Sequence, residues 1–280
     1  MSCVPSTRWV PLVIAAVLVA STAGATASAA SAKPPGTTVI GGTPASTDDF
    51  PWMIALADPS IARPSGQFCG GTLVAPTKVV TAAHCVARYE HAPQELRLIG
   101  GRTDMRTDDG TVRSAVAIWV HPDFVPSELV ADVAVVTLDR PMPYRPSPMV
   151  LPSDDYLYRP GRAALTLGWG VMSATNPGGT VLQQLHLPLT SDEDCAAQYP
   201  PGDPAFPPFI PFAHTCAGYP ADDAGIAGGD SGGPLVVAGK LVGITSTRNL
   251  AEPTDSAIFT RLRSYAEEVS RQVEGGSQTA

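Results

Sequence analysis

Short apolar or alternating runs recur along most of the chain and are separated by turn-forming residues. They cover residues 52–57, 71–74, 78–82, 96–99, 113–120 and 132–138, then 163–168, 181–189, 234–237, 241–245 and 257–260. Runs of this length between turn signals are typical of β-strands. Two sets of about six short strands predict an all-β fold of two antiparallel six-stranded β-barrels.

Residues 261–273 follow a different period. Their apolar side chains recur at helical spacing, at Leu262, Tyr265, Val269 and Val273. This spacing predicts an amphipathic C-terminal α-helix. A proline-dense segment at 141–152 indicates a connector, because proline cannot occupy a central strand. We therefore expect an N-terminal barrel half at 39–148 and a C-terminal half with the helix at 149–280.

The first thirty residues have the pattern of a signal peptide. Arg8 provides the positive charge, residues 10–20 are almost wholly apolar, and overlapping Ala-x-Ala sites follow. A membrane anchor is the alternative, but the apolar run is too short to span a bilayer. We expect a signal peptide over residues 1–30, export of the chain, and no membrane association after cleavage.

Composition excludes two further classes of protein. Only 16% of the residues are charged and 44% are hydrophobic, which argues against a disordered chain. The net charge is −8 and the chain has only three lysines, none in a basic run. A nucleic-acid-binding surface needs clustered Lys and Arg, so we expect no nucleic-acid partner.

Export would place the cysteines in an oxidising compartment. Cys3 lies in the predicted signal peptide, which leaves Cys69, Cys85, Cys195 and Cys216, and four cysteines allow three pairings. We favour Cys69–Cys85 and Cys195–Cys216 on spacing, each worth about 3 kcal/mol in the chain-entropy model. A zinc site is the competing interpretation, but no two of them have Cys-x-x-Cys spacing.

Three segments contain residues suited to nucleophilic catalysis. Gly-Asp-Ser-Gly-Gly-Pro at 229–234 flanks Ser231 with glycines, so backbone N–H groups can approach a substrate carbonyl. Thr-Ala-Ala-His-Cys places His84 at the end of an apolar strand, and Asp132 begins another, where its charge needs a partner. A serine nucleophile needs a base, and the base needs an acid that sets its tautomer.

With these segments the chain resembles the trypsin/chymotrypsin family of secreted serine endopeptidases over residues 39–270. The matching segments are 39–42, 81–85, 121–122, 132–138, 168–170, 216–219 and 229–234. The order His, Asp, Ser is also that of the family. The resemblance implies that polypeptides are the substrates, that protein protease inhibitors are partners, and that neither a metal nor an organic cofactor is needed.

The resemblance also assigns roles to individual residues. Ser231 is expected to be the nucleophile, His84 the general base and then acid, and Asp132 the group that orients His84. The N–H groups of Gly229 and Ser231 are expected to form the oxyanion hole. Ser246 is expected beside Asp132, in the segment that pairs with bound peptide. A catalytically silent binding homologue is the alternative, but silent members usually lack one of the three catalytic residues.

In this family, cleavage creates an α-amino group that pairs with the aspartate before the nucleophile. Here the pair would be Val39 with Asp230, after removal of a propeptide at 31–38. The cut would follow Thr38, so neither signal peptidase nor trypsin-like self-cleavage makes this end directly.

The specificity pocket departs from the trypsin pattern. The family's usual third disulfide is absent because Ala227 replaces one of its cysteines. Gly225 occupies the base position where trypsin-like members have aspartate, with Ile226 beside it, so we expect poor cleavage after Arg or Lys. Arg248 and Ala257 stand where the family has glycine. If Arg248 faces solvent the pocket is apolar, the alternative we favour here; if it folds over the pocket, acidic side chains are preferred.

Overall fold

The computed structural model describes residues 1–2, 42–170, 179–203, 205–218, 225–249 and 255–275. The chain divides into two units, Met1–Pro34 and Pro35–Ala280. The predicted signal peptide (apart from residues 1–2), the propeptide and Val39 lie outside the described residues. All elements named below belong to the second unit.

Six strands close the N-terminal barrel. The first seven strands are β1 (Thr43–Pro44), β2 (Met53–Ala57), β3 (Gln67–Ala75), β4 (Lys78–Thr81), β5 (Arg97–Gly100), β6 (Thr111–Val120) and β7 (Ala134–Leu138). The order around the barrel is β2-β3-β4-β7-β6-β5, with antiparallel neighbours. The predicted N-terminal barrel is therefore confirmed.

The C-terminal half forms a seven-stranded sheet. Its own six strands are β8 (Ala163–Gly168), β9 (Gln183–Pro188), β10 (His214–Ala217), β11 (Pro234–Val237), β12 (Lys240–Thr247) and β13 (Ala257–Arg261). The order is β1-β9-β8-β11-β12-β13-β10, so β1 from the N-terminal half supplies the seventh strand. The all-β class is confirmed. The C-terminal half differs from the predicted closed six-stranded barrel, because among the described residues its strands form an open half-barrel sheet with β1 at one edge and β10 at the other. Strands β1 and β10 have no counterpart in the predicted runs.

Strand β2 explains how the two halves pack. All five of its residues are buried. Ile54 and Leu56 point into the barrel core, while Met53 packs in a second cluster with Leu167 and Trp169 of the C-terminal half. Because both faces of β2 are buried, its sequence is a continuous hydrophobic run instead of an alternation of apolar and polar residues.

Three helices are described: α1 (Ala83–Val86), α2 (Asp192–Gln198) and α3 (Ala266–Glu274). The predicted C-terminal helix is confirmed, although its first turn, Leu262–Tyr265, is a 3₁₀-helix. Gly275 ends α3 in the left-handed conformation, with φ of 77°, which glycine adopts without steric cost. None of the helices in the described part of the chain is long and apolar enough to cross a membrane.

Both favoured disulfides are present in the structure. Cys69 of β3 is bonded to Cys85 of α1, and Cys195 of α2 to Cys216 of β10. The first anchors the short helix that carries His84 to the barrel wall.

Candidate active site

His84 lies on α1, directly after β4. Its ring Nδ1 is 2.8 Å from Asp132 Oδ2, and its backbone N–H donates to Asp132 Oδ1 at 2.9 Å. The His84 side chain is 30% exposed and the Asp132 side chain is fully buried. Burial lowers the pKa of His84, but the negative charge and hydrogen bond of Asp132 together outweigh it, so the net pKa is raised. A raised pKa suits a group that must hold a proton during turnover.

Residues from the C-terminal half hold Asp132. The Ser246 hydroxyl donates to Asp132 Oδ2 at 2.7 Å, and Thr260 Oγ1 donates to the Asp132 carbonyl at 2.8 Å. The pairing of β12 with β13 shifts register between Thr245 and Thr247. Such a bulge re-aims a side chain, and here it lies at Ser246, which reaches the carboxylate. The structure thus places Ser246 beside Asp132.

Ser231 lies on the loop that leads into β11. Its carbonyl accepts from the Gly70 N–H at 2.7 Å, which ties the loop to the N-terminal barrel. Gly232 has φ of +78°, and a Cβ there would clash with Thr81 Oγ1 and the Gly70 carbonyl. Ser231 and His84 line the same groove, a cavity of about 370 Å³ beside the Cys69–Cys85 disulfide. Residues far apart in sequence therefore converge on one groove.

The backbone of the Ser231 loop is held from both sides. The Asp230 N–H donates to the Ala227 carbonyl at 3.0 Å, and the Gly232 N–H donates to the Thr245 carbonyl at 2.7 Å. Gly229 has φ of +104°, a conformation that L-residues with a side chain rarely adopt. Its carbonyl accepts from Gln67 Nε2 at 2.9 Å.

Asp230 is buried beneath this loop. Oδ1 accepts from the Gly170 N–H at 2.7 Å and Oδ2 from the Ala227 N–H at 2.8 Å. A Cβ on Gly168 or Gly170 would clash with the carboxylate, which accounts for both glycines of the Gly-Trp-Gly motif. Burial raises the pKa of Asp230 to about 6, and the two N–H groups and the charge of Arg63 offset only part of that rise.

A second cavity, of about 140 Å³, adjoins Ser231. Its lining residues are Ile226, Ala227, Gly228, Ser231, Ser246, Thr247 and Arg248. Arg248 is only 5% exposed, and its Nη1 lies 3.5 Å from the Ile226 carbonyl. A Cβ on Gly225 would clash with this guanidinium, so Arg248 covers the base position of the pocket. The favoured expectation that Arg248 faces solvent is therefore wrong.

Comparison with known proteins identifies the family. A model of the trypsin family, described as Trypsin, matches residues 39–269. The chain belongs to the trypsin family. It is a serine endopeptidase, and members of this family act on polypeptides and are typically extracellular.

Individual proteases are similar to this chain in sequence or in structure. The chain is 37% identical over 240 residues to a trypsin from Saccharopolyspora erythraea, which covers 85% of this chain and 100% of the relative. It is 29% identical over 238 residues to a vitellin-degrading protease from Bombyx mori, covering 84% and 85%. The structure of the Vibrio cholerae VesB protease has the same fold, with a TM-score of 0.68 at 24% identity over 85% of this chain and 68% of that one.

Two of the predicted pocket residues are not among those that line the cavity of this trypsin-family enzyme. Ala257 is 2% exposed and packs in the hydrophobic core. It lies on β13, which pairs with β10 on one side and β12 on the other. Gly225 lies behind the Arg248 guanidinium. Ile226, Ser246 and Arg248 do line the cavity.

Two contributors to the site were not predicted. Gln67 is buried on β3 and donates from Nε2 to the carbonyls of Cys69 and Gly229. The Arg63 guanidinium lies against Gly229, where a Cβ would be 2.8 Å from Nη2. Both residues are more than 160 positions from Gly229, and no local pattern marks them, so only the fold reveals the contacts.

One cluster of metal-type ligands occurs among the described residues. Atoms of Cys69, His84 and Cys85 lie within 4.8 Å of one another. Both sulfurs belong to the same disulfide and are not thiolates, and a metal site needs thiolate ligands from cysteine. The cluster therefore does not fit a metal ion.

Proposed function

We propose that Ser231, His84 and Asp132 form the catalytic triad of this endopeptidase. The hydrogen-bonded pair of His84 with the buried Asp132 carries the proposal, since it leaves Nδ1 protonated and Nε2 as the basic nitrogen. The Asp132 carboxylate accepts three hydrogen bonds, from the His84 ring, the His84 N–H and the Ser246 hydroxyl, so its orientation is fixed.

In the proposed reaction, Ser231 Oγ attacks the carbonyl carbon of the scissile peptide bond while His84 Nε2 takes the hydroxyl proton. The N–H groups of Gly229 and Ser231 stabilise the oxyanion, and each such donor is worth about 3–4 kcal/mol in the transition state. His84 then gives its proton to the leaving amine. Water repeats the sequence on the acyl-enzyme and restores Ser231.

The cavity with Arg248 is the proposed pocket for the residue before the scissile bond. A second cation beside the buried guanidinium would lack a partner and lose solvation, so cleavage after Arg or Lys is poor. A guanidinium has five N–H donors and can hold one partner while presenting donors to another. Glutamate or aspartate therefore becomes the favoured residue, with a charge-assisted hydrogen bond to Arg248.

We also propose that the enzyme is exported and activated by cleavage. The N-terminal pattern and the extracellular habit of the family support export. In the activated form the new Val39 amino group would pair with Asp230, whose carboxylate is buried with a raised pKa and so gains from a nearby cation.

This pairing predicts a change in the pH dependence of stability. In the precursor, Asp230 titrates near 6 rather than at 3.8, so its ionisation destabilises the fold progressively as pH rises from about 4 to 6. At about 1.4 kcal/mol for each tenfold change in the protonation equilibrium, the loss is roughly 3 kcal/mol. The form that begins at Val39 should lack this loss.

Denaturant unfolding at pH 4 to 7 measures the difference, with Ser231→Ala in both forms to prevent self-cleavage. N-terminal sequencing identifies the Val39 form. Precursor and processed forms with the same pH slope would argue against the ion pair.

Labelling with a fluorophosphonate tests the proposed triad. Intact processed protein should gain one adduct, located on Ser231 by peptide mass spectrometry, and Ser231→Ala should gain none. The matched control is Ser264→Ala, since Ser264 is an α3-proximal serine that donates to Phe212 and lies outside the groove. Absence of label on folded, processed protein would restore the silent-homologue alternative.

A further inference from the structure

The backbone immediately before Asp132 is strained. Leu129 and Ala131 have φ of 52° and 51°, in the left-handed region that side chains disfavour. Neither is glycine, so other contacts must hold the two positions in place. The segment is short, and its conformation determines where the Asp132 carboxylate lies.

Two side chains from the C-terminal half bind this segment. His214 on β10 is fully buried, and its Nε2 lies 3.1 Å from the Leu129 carbonyl oxygen. The Tyr265 hydroxyl accepts from the Ala131 N–H at 3.0 Å. Each strained residue is therefore bound by one side chain, and neither side chain takes part in the proposed reaction steps.

The contacts of His214 define its protonation state. Nδ1 accepts from the Ile210 N–H at 3.1 Å and must therefore be unprotonated. Nε2 then carries the single proton and donates it to Leu129. A second proton, on Nδ1, would face the Ile210 N–H and break that bond.

The charges around His214 come from three elements. Asp132 and Glu128 lie on the loop, and both favour the protonated ring. Arg261 on β13 disfavours it, donates to the His214 carbonyl at 2.8 Å, and pairs with Asp192 on α2. Burial dominates, and the net pKa of His214 is lowered. The ring thus stays neutral at pH values where an exposed histidine is already protonated.

We propose that His214 is a positioning residue of the reaction: as the neutral Nε2–H tautomer it holds the Leu129 carbonyl, and through the strained segment it holds Asp132 against His84. The inference rests on the proposed catalytic role of Asp132. It implies that two separate protonation steps inactivate the enzyme as pH falls. Protonation of His84 comes first as pH falls, because its pKa is raised, and protonation of His214 follows.

The slope of the acid limb tests the proposal. Log kcat/KM of the processed enzyme should fall with a slope of one as His84 protonates, and with a slope of two once His214 does. His214→Gln keeps an N–H donor for Leu129 but cannot titrate, so its slope should stay at one, with activity at neutral pH within about threefold of wild type. His186→Gln, at an exposed histidine of β9, should behave as wild type.

A second variant tests positioning at neutral pH. His214→Phe keeps an aromatic ring at this position but removes the hydrogen bonds with Ile210 and Leu129. We therefore expect kcat to fall by about 10- to 100-fold with KM nearly unchanged. Nitrogen-15 NMR of histidine-labelled Ser231→Ala protein should show His214 as the Nε2–H tautomer. If His214→Phe does not fold, the His214→Gln slope and the NMR signal decide.

A slope of two that persists in His214→Gln would overturn the proposal, and so would a His214 ring that carries its proton on Nδ1 at neutral pH. Loss of activity in Asp132→Asn alongside full activity in His214→Phe would reject this inference and leave the triad intact. Full activity in Asp132→Asn would instead reject the proposed function itself.

Discussion

Replacing Arg248 with glycine is expected to reverse the preference of the enzyme for the residue before the scissile bond. Wild type should cleave best after Glu or Asp, because the buried guanidinium offers charge-assisted hydrogen bonds in the pocket beside Ser231. Loss of these bonds should lower kcat/KM for Glu peptides roughly 100-fold, equivalent to about 3 kcal/mol. Removing the side chain also uncovers Gly225, so Phe and Leu peptides should be cleaved faster.

A peptide library that varies only this position measures the change. Arg248→Lys, which keeps the charge without the planar fork, should give an intermediate preference for Glu. Arg145→Gly, at an exposed arginine, is the matched control and should leave the profile unchanged. Efficient cleavage after Arg or Lys by wild type, or a Glu preference that survives Arg248→Gly, would contradict the assignment.

Replacing Asp132 with asparagine is expected to lower kcat about 10⁴-fold, the loss that this substitution causes in members of the trypsin family. The physical reason lies in the three hydrogen bonds that the carboxylate accepts. Asparagine has one acceptor oxygen, so its amide must face either the His84 N–H or the His84 ring and Ser246. Facing the ring, it favours the tautomer with Nδ1 as acceptor, and Nε2 is then no longer a base.

Single-turnover kinetics on a peptide ester measures this loss. Circular dichroism and thermal unfolding check that the variant still folds. Asp139→Asn, at an exposed aspartate, is the control and should keep full activity. A decrease of less than tenfold in Asp132→Asn would remove Asp132 from the triad.

The fold and the three proposed catalytic residues follow from local patterns. Ser231, His84 and Asp132 each lie in a short segment whose neighbours are legible in the sequence, since glycines surround the serine and apolar strands lead to or from the other two. Strands β2 to β9 and β11 to β13 can likewise be recognised in the sequence as apolar runs between turns. The matching segments, together with the order of the three residues along the chain, then indicate a known family.

What the sequence could not provide depends on packing between distant segments. Arg248 can cover the pocket because Gly225 has no side chain and leaves space for the guanidinium. The residues next to Arg248 in the sequence give no indication of that space. The contacts of Gln67 with Gly229 and of His214 with Leu129 join opposite halves of the chain. Strand β1, only two residues long, leaves no run to detect and still completes the C-terminal sheet.

One measurement tests the nucleophile and the specificity pocket together. Processed enzyme is mixed with a library of peptide esters, quenched in acid so that protonated His84 cannot assist deacylation, and analysed by mass spectrometry. The expected result is an acyl group on Ser231 whose attached residue is Glu or Asp. Acylation at any other residue, or an acyl group on Ser231 that ends in Arg or Lys, would contradict the account.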